Sequence, residues 1–247
     1  MSEDRKPESQ RSADDAAQSQ VISDDVAQSK PAPTTTDTND SQADNSGVPD
    51  DFEPLTATYE RLRHSTNPAE LSEFARRPLP DKSDQAAFSR ATALLEAVAG
   101  NPHTPVEDRI FLAETMPFPN VLVKLSIDED ANVRKAVAAN ADDKNWLVGR
   151  LTKDTVPEVR DTALRNKRTS WKMRLEGAQN PELDADMLDF LSRFGVESEP
   201  NAPAVLTSMV RRAVALNPNT SADTLTRLAS DPDPVVAKAA ASVLSRK

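Results

Sequence analysis

Three near-copies of one octapeptide punctuate this chain: "VRKAVAAN" from Val133, "VRDTALRN" from Val159 and "VRRAVALN" from Val210. A fourth and looser copy, "VAKAAASV", begins at Val236. The four valines are spaced 26, 51 and 26 residues apart, so the long interval is expected to hold one degenerate unit. Leu125, Leu151 and Leu228 keep the same register, as do Asp128, Asp154 and Asp231, and likewise Lys124, Arg150 and Arg227. Self-similarity at a period of about 20–50 residues is the mark of a stacked array of small units.

Each unit reads as two short helices. In "VRRAVALN", Val210, Ala213 and Val214 fall at i, i+3 and i+4, one apolar stripe with room for close approach. Pro218 in "NPNT" turns the chain, because the residue before a proline is driven out of helical geometry. Thr220 or Ser221 caps the next helix, which carries Leu225, Leu228 and Ala229. Asp233 is expected at the N-cap of the following helix with Pro234 at its first position. The same grammar predicts capping boxes at Thr104–Glu107 and Thr155–Glu158. Helices this short do not persist alone, and stacking supplies the burial they lack. The segment from Val236 to the C-terminus is expected to be the terminal half-unit, with a charged outer end.

The stretch "VRRAVALNPNTSADTLTRLASDPDP" resembles the bacterial leucine-rich repeat variant, a right-handed solenoid of paired short helices akin in style to HEAT repeats. The resemblance is good over Val210–Pro234, fair over Leu122–Asn166 and Leu94–Ala113, and weak over Trp171–Arg193 and Tyr59–Ala75. It implies a fold and a tendency towards binding, with no particular chemistry. Some members carry a cysteine cluster that holds iron–sulfur, and this chain has no cysteine to do so. The expected fold class is therefore all-α: a right-handed α-solenoid over residues 52–247, behind a disordered acidic tail over residues 1–51.

Two breaks interrupt the array. Asn101 and Asn140 are 39 residues apart, and the excess includes "ETMPFPN" with Phe118; the second break is "FGVESEPNAP", Phe194–Pro203. Insertions in solenoids map to loops on one face, often a binding face. Simple repeat decay accounts for them equally well.

Charge is uneven. Of 40 acidic and 30 basic residues, 13 acidic and 4 basic fall between Met1 and Glu53, leaving the rest nearly neutral. That first segment is too polar to offset its conformational entropy by burial. It contains "DDAAQS" at Asp14 and "DDVAQS" at Asp24, which reads as a doubled docking motif or as duplication drift. The start "MSEDRKPESQ" is unlike a secretory signal, and no apolar run approaches the length of a membrane span, so a cytoplasmic protein is expected.

Catalytic and cofactor signals are missing. There is no GxGxxG, no phosphate-binding GxxxxGK[ST], no HExxH, and the two histidines, His64 and His103, stand alone. No enzyme activity, cofactor, metal or small-molecule substrate is expected. The most distinctive segment is "RNKRTSWKMR", in which Arg165, Lys167, Arg168, Lys172 and Arg174 surround Trp171 without an acid. Those six residues and Phe118 are the candidate partner-binding residues. They suit an acidic protein partner with an aromatic anchor, and the basic segment alternatively suits nucleic acid through phosphate neutralisation and base stacking. The acidic tail is long enough to reach the basic segment and mask it weakly. The arginine series Arg134, Arg160 and Arg211 is expected to pair with the repeated aspartates as solvated ion pairs. Trp146 is expected to be partly buried against a neighbouring turn. The function these features favour is a non-enzymatic protein-interaction scaffold.

Overall fold

The computed structural model describes residues 53–142 and 146–246. The acidic tail, its paired hexapeptides and any masking by it lie outside the described residues. Among the described residues the chain forms thirteen helices, with a single isolated bridge between Phe194 and Ser198. The helices are α1 (Leu55–His64), α2 (Pro68–Arg76), α3 (Gln85–Ala99), α4 (Val106–Thr115), α5 (Pro119–Leu125), α6 (Ala131–Ala139) and α7 (Val148–Leu151). Then follow α8 (Pro157–Arg165), α9 (Trp171–Ala178), α10 (Ala185–Leu191), α11 (Ala204–Leu216), α12 (Ala222–Leu228) and α13 (Pro234–Leu244).

Packing follows the repeat. Helices α2, α4, α6 and α8 stack in a first row, with α3 and α5 packed beside it and α1 against α3. A second row begins at α9 and continues through α11 to α13, with α10 and α12 packed beside it. The repeated valines Val133, Val159, Val210 and Val236 are wholly buried, and Leu125, Leu151 and Leu228 nearly so. Each such side chain contributes about 1.5–3 kcal/mol by leaving water. That is what holds helices of four to thirteen residues in place. The core divides where the rows divide: one cluster runs from Leu62 to Ala163, the other from Leu164 to Ala240.

The long intervals have a different content from that expected. Asn101 to Asn140 spans three helices, α4 to α6, so its excess is largely extra helix. Phe118 sits at the start of α5, half-buried, with its ring edge-on to Phe88 at 5.6 Å. The 51-residue interval also holds three helices between Asn166 and Asn217, where two complete units would need four. Helix α9 serves twice, packing on α8 as its partner and on α11 as the first member of the new row.

Capping follows the expected grammar at some sites and departs from it at others. Ser221 caps α12 and Asp233 caps α13, with Pro234 at its first position. Thr104 does not cap α4, whose N-terminus has no side-chain cap. Its hydroxyl turns inward and donates to the Val98 carbonyl at 2.7 Å. Thr169 and Thr220 do the same for Ala163 and Val214. These threonines satisfy the open carbonyls at the end of the preceding helix, where burial makes an unpaired acceptor costly. Thr155 likewise caps nothing: α8 starts two residues later, after Val156.

Candidate peptide-binding groove

Two polar series run between units. The first is asparagine. Asn101 donates from Nδ2 to Leu62 O and Ser65 O, Asn140 to Ala113 O and Met116 O, Asn166 to Ala138 O and Asn140 O, and Asn217 to Ala178 O and Asn180 O. Each Oδ1 accepts from the backbone N–H two residues on. A neutral side chain with two donors and an acceptor fits this double task, and all four are buried.

The second series is arginine and aspartate. Arg134 grips Asp154 with Nε and Nη2 at 2.8 and 3.0 Å, and Arg211 grips Asp231 at 2.7 and 3.0 Å. Arg109 Nε lies 3.0 Å from Asp128. The expected pairing with the repeated aspartates holds for Arg134 and Arg211, across units. The expectation of solvated pairs does not, since Arg211 is 5% and Asp231 3% exposed. Burial would raise the Asp154 carboxyl, but the Arg134 bond, the Val156 N–H and the positive charge of Arg134 and Arg160 carry it below the usual range. Asp128 is raised, because burial there outweighs its backbone bond and the charge of Arg109.

Arg160 is the third expected member and differs. It is 7% exposed, and its Nη1 donates to Asp154 O and Thr155 O, as Arg134 Nη1 does to Asp128 O and Glu129 O. Its Nε is buried without an acceptor, as are those of Arg109 and Arg174, but unlike them it has no carboxylate among the described residues in an ion pair with it. The second cationic series also scatters: Lys124 pairs with Glu96 and Arg227 with Asp189, while Arg150 is exposed.

Three open cavities follow these series along the first row. One of about 390 Å³ is lined by Gly100, Arg109, Lys124, Ile127 and Asp128. The next, about 810 Å³, shares Ile127 and Asp128 with it and adds Trp146, Arg150 and Met173. A third of about 540 Å³ shares Lys153, Asp154 and Thr155 with the second and is lined also by Arg160, Glu176 and Asn180. Together they form a groove beside the inter-unit turns. Its apolar anchors are conspicuous: Trp146 is 66% and Ile127 60% exposed. The expected burial of Trp146 is thus overturned. Helix α7 has only four residues, and the indole stands in the turn just before it.

Residues 210–233 match the leucine rich repeat variant family model. The match covers the end of α11, the whole of α12 and the turn into α13, the stretch with the most regular repeat grammar. No curated protein and no solved structure matches the chain. Among the described residues no helix is long and apolar enough to cross a membrane, and no group of histidine and acidic side chains is placed to hold a metal ion.

The basic segment next to this repeat is divided by the structure. Arg174 is 1% exposed, held between the rings of Trp171 and Phe194 at 4.5 and 4.3 Å and paired with Glu199 at 3.1 Å. Trp171 is half-buried, edge-on to Phe194 at 5.4 Å. Arg165 lies over the Phe190 ring at 4.4 Å. Lys167, Arg168 and Lys172 are exposed; Arg168 donates to Ala141 O, and Lys172 lies 4.0 Å from Glu176. The second interruption, "FGVESEPNAP", folds back to supply Glu199 to Arg174, with Gly195 at φ 77° and Glu199 at φ 46°. Aromatic and cationic residues here build the start of the second row. Phe118 lies apart from them, in the first core cluster.

Proposed function

We propose that residues 52–247 form a non-enzymatic scaffold that binds an extended segment of another protein in the groove along α5, α7 and α9. The exposed Trp146 and Ile127 on the wall of that groove carry the reading. Large apolar side chains framed by polar ones are the usual composition of a binding hot spot, with tryptophan the most enriched residue type. The match to a repeat family supports a stacked architecture of the kind that presents extended binding surfaces. The candidate residues contribute to this proposal unequally: Arg165, Lys167, Arg168 and Lys172 are exposed, whereas Arg174 is buried and Trp171 and Phe118 are half-buried in the fold.

The test is affinity capture by the full chain from a nuclease-treated lysate, with the double variant Trp146→Ala/Ile127→Ala in parallel. The expected result is capture of defined proteins by the wild type and their loss by the variant, with unchanged helicity. Capture that depends on nucleic acid, or that ignores the double variant, would refute the groove as the binding face. Nucleic acid retained through Lys167, Arg168 and Lys172 would favour the alternative reading.

A further inference from the structure

At the turns after α5, α7, α9 and α12 one residue makes the same backbone bond that the buried asparagines make after α3, α6, α8 and α11. Asp128 N donates to Leu125 O, Asp154 N to Leu151 O, Asn180 N to Gly177 O, and Asp231 N to Leu228 O. Each then accepts, through Oδ1, from the N–H two residues on: Asp130, Val156, Glu182 and Asp233 respectively. Three of the four use the other oxygen for an arginine. Asp154 faces Arg134 and Asp231 faces Arg211, each twenty residues earlier, and Asp128 faces Arg109. Counting back twenty from Asn180 gives Arg160.

At this one station an amide stands where the others have a carboxylate. Asn180 spends Oδ1 on the Glu182 N–H at 2.9 Å, and the rest of its amide is an NH₂ donor, which cannot accept from an arginine. Arg160 is nonetheless set like its counterparts. Its Nη1 is fixed by the carbonyls of Asp154 and Thr155, so the Nε–Nη2 edge that grips a carboxylate elsewhere is positioned and unused. The charges of Asp154 and Asp161 lie near enough to act on Arg160, but neither carboxylate bonds it; a buried N–H without an acceptor is costly, and a fork of two N–H groups matches a carboxylate in geometry. The cavity of about 540 Å³ opens at this point and is lined by both Arg160 and Asn180.

Resting on the protein-binding reading, we infer that Arg160 is the receptor for an aspartate or glutamate side chain supplied by the partner, which completes the vacant pair from outside. The chain's own pairs define the ligand, since Asp154 and Asp231 show what this edge binds. The surroundings favour a monoanion: Asp154, Glu176 and Glu182 also line the cavity, and they would repel a doubly charged phosphate more strongly. Lys153, whose ammonium pairs with Glu176 at 2.8 Å, stands between this cavity and the one holding Trp146. The segment recognised therefore carries an acidic residue close to an apolar one, the acid on Arg160 and the apolar side chain on Trp146 and Ile127.

Acetate tests this without any knowledge of the partner. The Nε–H resonance of Arg160 in the full chain, assigned by its loss in Arg160→Lys, is followed during titration with sodium acetate, sodium phosphate and sodium chloride at matched ionic strength. The expected result is a saturable shift with acetate, absent with chloride and weaker with phosphate. In Asn180→Asp the internal carboxylate occupies the site, so the resonance starts near its shifted position and no longer responds. Failure of acetate to shift it in the wild type, an equal response in Asn180→Asp, or a stronger response to phosphate would each overturn the assignment. Should Asn180→Asp not fold, competition decides: an acetylated aspartate amide must displace acetate and its asparagine analogue must not. None of these outcomes depends on a protein partner, so failure here leaves the groove reading to its own capture experiment.

Discussion

Replacing Asp231 by asparagine recreates, at a fully buried pair, the arrangement that Asn180 already shows. The substitution is nearly isosteric. Its Oδ1 still accepts from the Asp233 N–H, now at 2.8 Å, so the turn should survive. What is lost is the acceptor for Arg211 Nε at 2.7 Å and the charge opposite a guanidinium that is 5% exposed. Stranding one member of a buried pair costs about 3–5 kcal/mol. A domain of this size loses about 2–4 °C of melting temperature per kcal/mol, so Asp231→Asn should melt about 6–20 °C lower. Thermal unfolding of the full chain by far-ultraviolet circular dichroism measures this. A second variant, Arg211→Met/Asp231→Asn, separates charge from packing. It should recover part of the loss, because no charge is stranded, although the Phe194 carbonyl forfeits its bond from Arg211 Nη1. A loss below about 1 kcal/mol in the single variant, the scale of a solvated surface pair, would refute the argument from burial. So would a double variant less stable than the single one.

Three further outcomes follow from the surroundings of single residues. Burial raises Asp189, but bonds from Arg227, Arg193 and Thr224 outweigh it and hold the carboxyl at about 2, below its ordinary 3.8. The folded value is the lower one, so its stabilisation is present above about pH 4 and is lost as pH falls towards 2. It amounts to at most about 2 kcal/mol given partial exposure, and Asp189→Asn should flatten that part of the stability–pH curve. Among the glycines, Gly195→Ala should cost about 2 kcal/mol or more, because φ is 77° and the new methyl meets the buried Thr207. Gly149→Ala, in α7 with only ordinary contact to Met173, should be neutral or stabilising by up to about 1 kcal/mol in the same thermal melt.

The apolar frame was legible because it is periodic: a valine or leucine at a fixed station must be buried if its counterparts are. The polar framework was only half legible. Asn101, Asn140, Asn166 and Asn217 recur visibly at helix ends, yet they read as turn residues, since their Nδ2 partners lie 24 to 39 residues earlier. A side chain's long-range partner is set by the stacking, which the local pattern does not encode. Arg174 shows the same limit. Within "RNKRTSWKMR" it is one cation among five, and its burial depends on Glu199 in a loop 25 residues on. Trp146 failed in the other direction: tryptophan's size argues for burial, and only the shortness of α7 leaves it uncovered. Arg160 was visible as a member of its series, but its missing partner was not, because Asn180 was not aligned with the aspartates until the backbone placed it there.

The asparagines that stitch the units together also carry a chemical clock. Asparagine decays chiefly when the nitrogen of the next peptide bond attacks the side-chain carbonyl, a step that requires that nitrogen to lose its hydrogen. Asn101 and Asn217 are each followed by proline, which has no hydrogen to lose. Asn140 and Asn166 precede Ala141 and Lys167 and have no such protection. Conversion of Asn166 to aspartate would turn the donor that now holds Ala138 O and Asn140 O into a charge that repels both. The seams closed by Asn140 and Asn166, between α4 and α6 and between α6 and α8, are thus where an ageing molecule would first come apart, while those closed by Asn101 and Asn217 are guarded by the same prolines that turn the chain.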